Sequence, residues 1–166
     1  MYLDEIKPSL LIKIPSGVSG TLATLKIMQK LVQKFKKHPV IRQKAQDLVS
    51  HLRSKDWIGE VSTIHNFVKD NVRYLRDING VETLHFPTTV LEKGSGDCDD
   101  QSVLVASLLE SIGHPTRFTV IGPRTNKYSH VFAETRIGDK WISVETTEDV
   151  PLGWRPKFQS IMSVYN

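Results

Sequence analysis

The sequence predicts an α+β fold in which helices come first and an antiparallel sheet then packs on a helix that carries the chain's one cysteine. Three observations predict it. Apolar residues recur at helical spacing as far as Ile112. Beyond Pro115 the period changes to two. Gly113 and Pro115 stand between the two regimes and stop the last helix. The 166 residues, 39% hydrophobic and 24% charged, suit one globular domain over 1–166 with a core of its own.

Each element has its own signal. "LLIKI" reads as a short strand, and Pro15, Gly17 and Gly20 then break the chain. From Thr21 to Lys37 a helix places Leu25, Met28, Val32 and Phe35 on one stripe. His38-Pro39 ends it, and Pro39 suits the first turn of a second helix bearing Ile41, Ala45, Leu48 and Leu52. A third helix runs from about Asp56 to Tyr74, with Trp57, Val61, Ile64, Val68 and Val72 on one face. Residues 75–96 read as irregular, with turn chemistry at Asn79-Gly80 and Pro87. The cysteine helix follows, with Val105, Leu108, Leu109 and Ile112 at i, i+3, i+4 and i+7. "TRFTVIG", "HVFAETRI" and "KWISVE" are then three strands.

Charge divides the chain. Residues 26–55 hold nine Lys/Arg against the single acid Asp47, a local charge of +8 on a chain of net +4. This marks residues 1–55 as a basic helical N-terminal extension and 56–166 as the core. The plain reading of the basic stretch is a solvated helix face. Its partner, if it docks one, is acidic; nucleic acid is disfavoured, because no aromatic or Gly-rich binding pattern accompanies the charge. No apolar run reaches the roughly 18 residues of a membrane span. The N-terminus has acids before its apolar stretch and does not read as a signal peptide. One cysteine excludes an internal disulfide and a multi-cysteine zinc site, so a cytoplasmic setting, in which a lone thiol stays reduced, is expected.

That cysteine, Cys98, lies in "GSGDCDDQSVLVASLLESIG". Asp97 can cap the helix and Asp100 stands three residues on, which makes Cys98 the first helical residue. Free N–H groups and the positive dipole end favour a thiolate there. Asp97, Asp99 and Asp100 oppose it, so a neighbouring imidazolium is required.

The strands supply an imidazole. With Gly138-Asp139 as a two-residue turn, 137 pairs with 140, 136 with 141 and 132 with 145. His130 then shares a face with Glu145, its diagonal neighbour, while Val131, Ala133, Ile137, Ile142 and Val144 form the opposite, core-facing set. An imidazole held by a carboxylate is the usual support of a nucleophile.

"GDCDDQSVLVASLLESIGHPTRF", "SHVFAET" and "KWISVETT" together resemble the transglutaminase-like core of the papain-like cysteine enzymes over roughly residues 60–150. "RYLRDINGVETL" and the N-terminal portion are similar to short stand-alone proteins of this type from phages and prophages. The resemblance implies a papain-like arrangement with Cys98 as nucleophile, His130 as base and Glu145 as acid, and makes 56–166 a catalytic core. It departs from the family in two places: the acid is usually Asp, and His85 stands where such proteins often carry an oxyanion-stabilising Gln. His85 is thus a candidate oxyanion donor beside the backbone N–H of Cys98.

The implied activity is attack on amide bonds of a protein or peptide through a thioacyl intermediate. Hydrolysis is favoured over amine transfer, since water needs no second site. No cofactor is expected. Nor is a metal, because the "DCDD" aspartates have capping work and their spacing fits no calcium loop. The alternative is a catalytically silent binding or assembly module that keeps the fold.

Overall fold

A computed structural model describes residues 9–12, 17–78 and 82–166. The expected Asn79-Gly80 turn, the break at Pro15 and the end of the "LLIKI" strand lie outside the described residues. The elements are β1 (Ser9–Ile12), α1 (Gly17–Phe35), α2 (Pro39–Val49), α3 (Trp57–Asn71), β2 (Arg73–Tyr74), β3 (Glu82–His85), α4 (Pro87–Lys93), β4 (Ser95–Gly96), α5 (Cys98–Ser111), β5 (Thr116–Gly122), β6 (His130–Ile137), β7 (Lys140–Val144) and β8 (Ser160–Tyr165). The architecture is α+β, as the period change from helical to two predicts.

The helix α5 is the axis of the molecule. It packs on α1, α2, α3 and α4 and lays one side against β6. Every residue from Asp100 to Leu109 is buried, so its apolar stripe is only part of what it covers. Leu104, Leu108 and Leu109 are wholly inaccessible, and truncating such a side chain to Ala costs about 2–5 kcal/mol. Leu25, Met28, Val32 and Phe35 of α1 and Ile41 and Ala45 of α2 belong to the same continuous core.

The main sheet is antiparallel, in the order β7-β6-β5-β8. The hairpin register agrees with the sequence reading, with Ile137 opposite Lys140 and Arg136 opposite Trp141. Val131, Ala133 and Val144 of the expected core set are buried. Ile137 and Ile142, toward the far end of the hairpin, are only half-buried.

Several local expectations are corrected. Gly17 and Gly20 do not break the chain but lie in α1, Gly20 buried. α2 ends at Val49, before Leu52. Trp57 is 52% exposed, because it is the first residue of α3 and precedes the packed turns. α3 stops at Asn71: Val72 turns extended, and Arg73–Tyr74 pair in parallel with Ser95–Gly96. Residues 75–96 are not uniformly irregular. β3 pairs with β1, and α4 opens on Pro87 and closes on Gly94, whose φ of 64° is the left-handed C-terminal conformation glycine supplies. The sheet also has a fourth strand, β8, beyond the three expected.

The outer face of the sheet carries a buried charge cluster. Arg117, Thr119 and Arg155 all converge on the Glu134 carboxylate, Arg117 Nε at 2.5 Å and Thr119 Oγ1 at 2.8 Å. The Arg117 guanidinium lies over the rings of Trp141 and Tyr165, 4.5 and 5.7 Å from their centroids. Arg155 thereby ties the segment after Glu145 back to the sheet.

Candidate active site

The start of α5 is built by a reciprocal cap. The Asp97 carboxylate accepts from the Asp100 N–H at 3.0 Å, and the Asp100 carboxylate accepts from the Asp97 N–H at 3.3 Å. Cys98 is therefore the first residue of the helix, where backbone N–H groups have no intrahelical partner. Asp100 also takes two bonds from His85, the backbone N–H at 2.7 Å and ring Nδ1 at 2.9 Å. Gly96 makes room for this: a Cβ there would lie 2.7 Å from the Cβ of Asp100.

His130 and Glu145 meet across the hairpin, with Nε2 and Oε2 2.5 Å apart. The carboxylate's other oxygen accepts from the Thr147 N–H at 2.8 Å and its hydroxyl at 2.7 Å. Burial pushes the Glu145 carboxyl up, but the bonds from His130 and Thr147 outweigh it and the net shift is downward. The site keeps an ionised carboxylate although only 1% of Glu145 is exposed. With Nε2–H given to Glu145, His130 has Nδ1 left to accept a proton.

The backbone of Val131, one residue after His130, acts to lower the thiol's pKa. Sγ donates to Asp99 Oδ1 at 3.7 Å, and among the described residues no hydrogen bond joins it to His130. Burial first, then the charges of Asp99 and Asp97, push the thiol well above the ordinary cysteine range. Asp97 itself is pushed up to about 8, by burial and by the neighbouring Asp99 and Asp100. Cys98 thus begins α5, which packs on the strand that His130 opens, with its S–H directed to Asp99.

Three contributors to this site do not stand out in the sequence. His65 of α3, 1% exposed, bonds the Glu145 backbone carbonyl at 2.6 Å through Nε2 and fixes the acid from behind. Desolvation lowers its pKa, so it serves as a neutral donor. Its signal is the spacing Val61, Ile64, His65, Val68, which sets an imidazole on a buried face. Thr147 follows the acid by two residues. Tyr74 is the third, set opposite Gly96, two residues before Cys98, by the pairing of β2 with β4. Among the described residues no three His, Cys, Asp or Glu side chains are grouped to hold a metal ion, and Asp97 and Asp100 are committed to the cap and to His85. No helix among the described residues is long and apolar enough to cross a membrane.

A family model described as transglutaminase-like superfamily matches residues 29–146. No curated protein matches the chain. Solved structures do. A candidate protease from Parabacteroides distasonis superposes with a TM-score of 0.63 at 16% identity, over 78% of this chain and 26% of that one. A candidate cysteine protease from Cytophaga hutchinsonii gives 0.56 at 15% identity, over 84% of this chain and 53% of that one. Calcium-bound LapG from Legionella pneumophila gives 0.56 at 20% identity, over 81% and 80%. The chain therefore spans about a quarter and about half of the first two proteins' lengths. At these identities the likeness is one of fold.

Proposed function

The chain belongs to the transglutaminase-like superfamily, and from that premise we propose that it is a cysteine enzyme acting on amide bonds of a protein or peptide, with Cys98 as nucleophile, His130 as base and Glu145 as the acid that orients and charges the base. The observation that carries the reading is the 2.5 Å pair between His130 and Glu145 at the end of the sheet that meets the start of α5.

The chemistry follows from the protonated resting thiol. His130 Nδ1 takes the Sγ proton as sulfur attacks the carbonyl carbon, forming the C–S bond while the C=O π pair moves to oxygen. Ionised Glu145 stabilises the imidazolium so formed. Collapse of the tetrahedral intermediate breaks the C–N bond, and His130 gives its proton to the leaving amine. Water activated by His130 then hydrolyses the thioacyl-enzyme; an amine in its place would give transfer. Hydrolysis is the favoured outcome. Apo hydrogen bonds in such sites commonly tighten only with substrate bound, so the present Asp99 contact is a resting state from which the thiol turns.

The second reading is a silent binding module. It is favoured by one observation, that burial and Asp99 hold the thiol's proton on. In either case the expected setting is cytoplasmic, and the basic surface of α1 and α2 is the place for an acidic partner. Part of that charge has structural work: Lys36 pairs with Glu110 and Lys44 covers the Phe67 ring.

Incubation with casein and dansylcadaverine tests the reading. Fragments detected by mass spectrometry indicate hydrolysis, and a dansyl adduct indicates transfer. If wild type and Cys98→Ala are equally inert and iodoacetamide labels Cys98 no faster than a free thiol, the binding-module reading takes over.

A further inference from the structure

We propose that the phenol O–H of Tyr74 is the second oxyanion donor of this site, working with the backbone N–H of Cys98. The inference rests on the cysteine-enzyme reading above and supplies what that reading lacks, since one N–H makes only half of an oxyanion hole.

The argument begins with the backbone. Arg73 N–H donates to Gly94 O at 2.8 Å and Leu75 N–H to Gly96 O at 3.0 Å. These two bonds lock Tyr74 opposite Gly96, two residues before the nucleophile. A Cβ at Gly96 would collide with the Asp100 side chain at 2.7 Å, and Gly94 holds a φ of 64° that favours glycine, with Asn71 O a tight 3.3 Å from a Cβ there. The parallel pair is therefore a built feature of the approach to α5.

The side chain remains on the surface. Tyr74 is 45% exposed although its backbone is paired with β4, so the residue is open to a molecule that approaches from solvent. Its phenol lies within electrostatic reach of the Cys98 sulfur and of the Asp97 and Asp99 carboxylates. Burial and those negative charges hold the phenol's proton on, so the group stays a donor where a thiolate forms.

The competing donor is already engaged. His85 commits Nδ1 to Asp100 at 2.9 Å. Its remaining nitrogen carries a proton only when the ring is charged, whereas the Tyr74 hydroxyl carries one in its ordinary neutral form. In the proposed step the thiolate forms the C–S bond, the carbonyl π pair moves to oxygen, and that oxygen accepts from Tyr74 O–H and Cys98 N–H. No proton is transferred to it. When the intermediate collapses, the pair returns and both donors are released.

Two reactions of Cys98 separate this role from others. Acylation by p-nitrophenyl acetate passes through an oxyanion; alkylation by iodoacetamide does not. Tyr74→Phe keeps the ring and is expected to slow acylation by about 10²-fold while leaving alkylation at matched pH unchanged. If Tyr74→Phe matches wild type in both reactions, or slows both equally, the phenol is no oxyanion donor. A selective loss of acylation in His85→Gln, with Tyr74→Phe unaffected, moves the role to His85 and equally overturns the proposal. A wild-type protein that is alkylated but never acylated overturns instead the cysteine-enzyme reading on which this rests.

Discussion

Glu145 is held by histidines at both ends: its carboxylate lies 2.5 Å from His130 Nε2, and its backbone carbonyl lies 2.6 Å from Nε2 of His65. One bond leads toward the thiol and the other anchors the residue to α3. A glutamate has one methylene more than the aspartate usual in the family. Here that length is accommodated because Thr147 takes the second carboxylate oxygen and stops the side chain from swinging away.

In the proposed mechanism His130 uses the charge of Glu145 rather than its shape. Glu145→Gln is expected to lower kcat by about 10²–10⁴-fold, as when a triad carboxylate becomes an amide; Glu145→Asp, which keeps the charge, should lose less. Steady-state kinetics of the two variants decide it, and a Gln variant as active as wild type would make Glu145 a structural residue only. The same charge carries a stability signature. The folded carboxyl is depressed, so its contribution is full above the unfolded value of about 4.3 and is lost as pH falls through the lower folded value. The stability gap between wild type and Glu145→Gln should therefore close on acidification.

Asp97 has the opposite sign. Its carboxyl is raised to about 8 in the fold, against an unfolded value of about 3.9. Its protonated form is the favoured one, so its contribution is full below the unfolded value and is lost as pH rises through the folded one. Asn caps a helix as well as Asp does and carries no charge. Asp97→Asn should thus be more stable than wild type at pH 9 by at least about 1 kcal/mol and no more stable at pH 4. Urea unfolding at the two values checks this; a constant difference between them would mean that Asp97 is ionised throughout.

Glu134 tests the outer face of the sheet. It is fully buried and receives Arg117, Arg155 and Thr119. Removing one partner of a buried ion pair leaves an uncompensated charge and costs about 3–5 kcal/mol. Glu134→Ala should lose about that much by chemical denaturation. Arg155→Ala should lose less, because Arg117 still pairs with the carboxylate and Arg155 is the more exposed of the two cations. Equal losses would show that the tether of the segment after Glu145, not the buried charge, carries the energy.

The parts of this architecture that were legible in the sequence share a reason. The cap at Asp97 and Asp100, the stripe of α5 and the register of the β6–β7 hairpin are each set by neighbours in the chain, so local chemistry reveals them. Tertiary contacts set the rest. β8 is hidden because "SIMSVY" carries apolar residues on both faces: Ile161 and Tyr165 face outward and are exposed while Met162 and Val164 pack inward. β2 is two residues long and exists only through its pairing with β4. In the sequence, helix terminus and aspartates oppose each other at the thiol, and activation of Cys98 is expected from a neighbouring imidazolium; in the structure the thiol is instead pushed upward. Desolvation of the half-buried thiol, which no sequence pattern reports for a cysteine among glycine and aspartates, is the largest cause of that shift.

The last prediction concerns that thiol. In the resting site Sγ–H points to Asp99, and the Asp99 charge is the largest electrostatic cause, after burial, of the raised thiol. Asp99→Asn removes the charge and keeps the size. The thiol should then fall toward the ordinary value of about 8.5, and since only the thiolate reacts, alkylation by iodoacetamide near pH 7.5 should rise, by up to about tenfold for each unit of fall. In the proposed mechanism His130 takes the same proton. If it accepts that proton when Asp99 no longer holds it, Asp99→Asn/His130→Ala should lose most of the gain, with its rate curve displaced to higher pH. Rates from pH 5 to pH 10 on wild type, both single variants and the double variant form a complete cycle. A double variant as fast as Asp99→Asn would show that His130 does not act on the thiol, and an Asp99→Asn curve superimposed on wild type would show that Asp99 does not hold the proton.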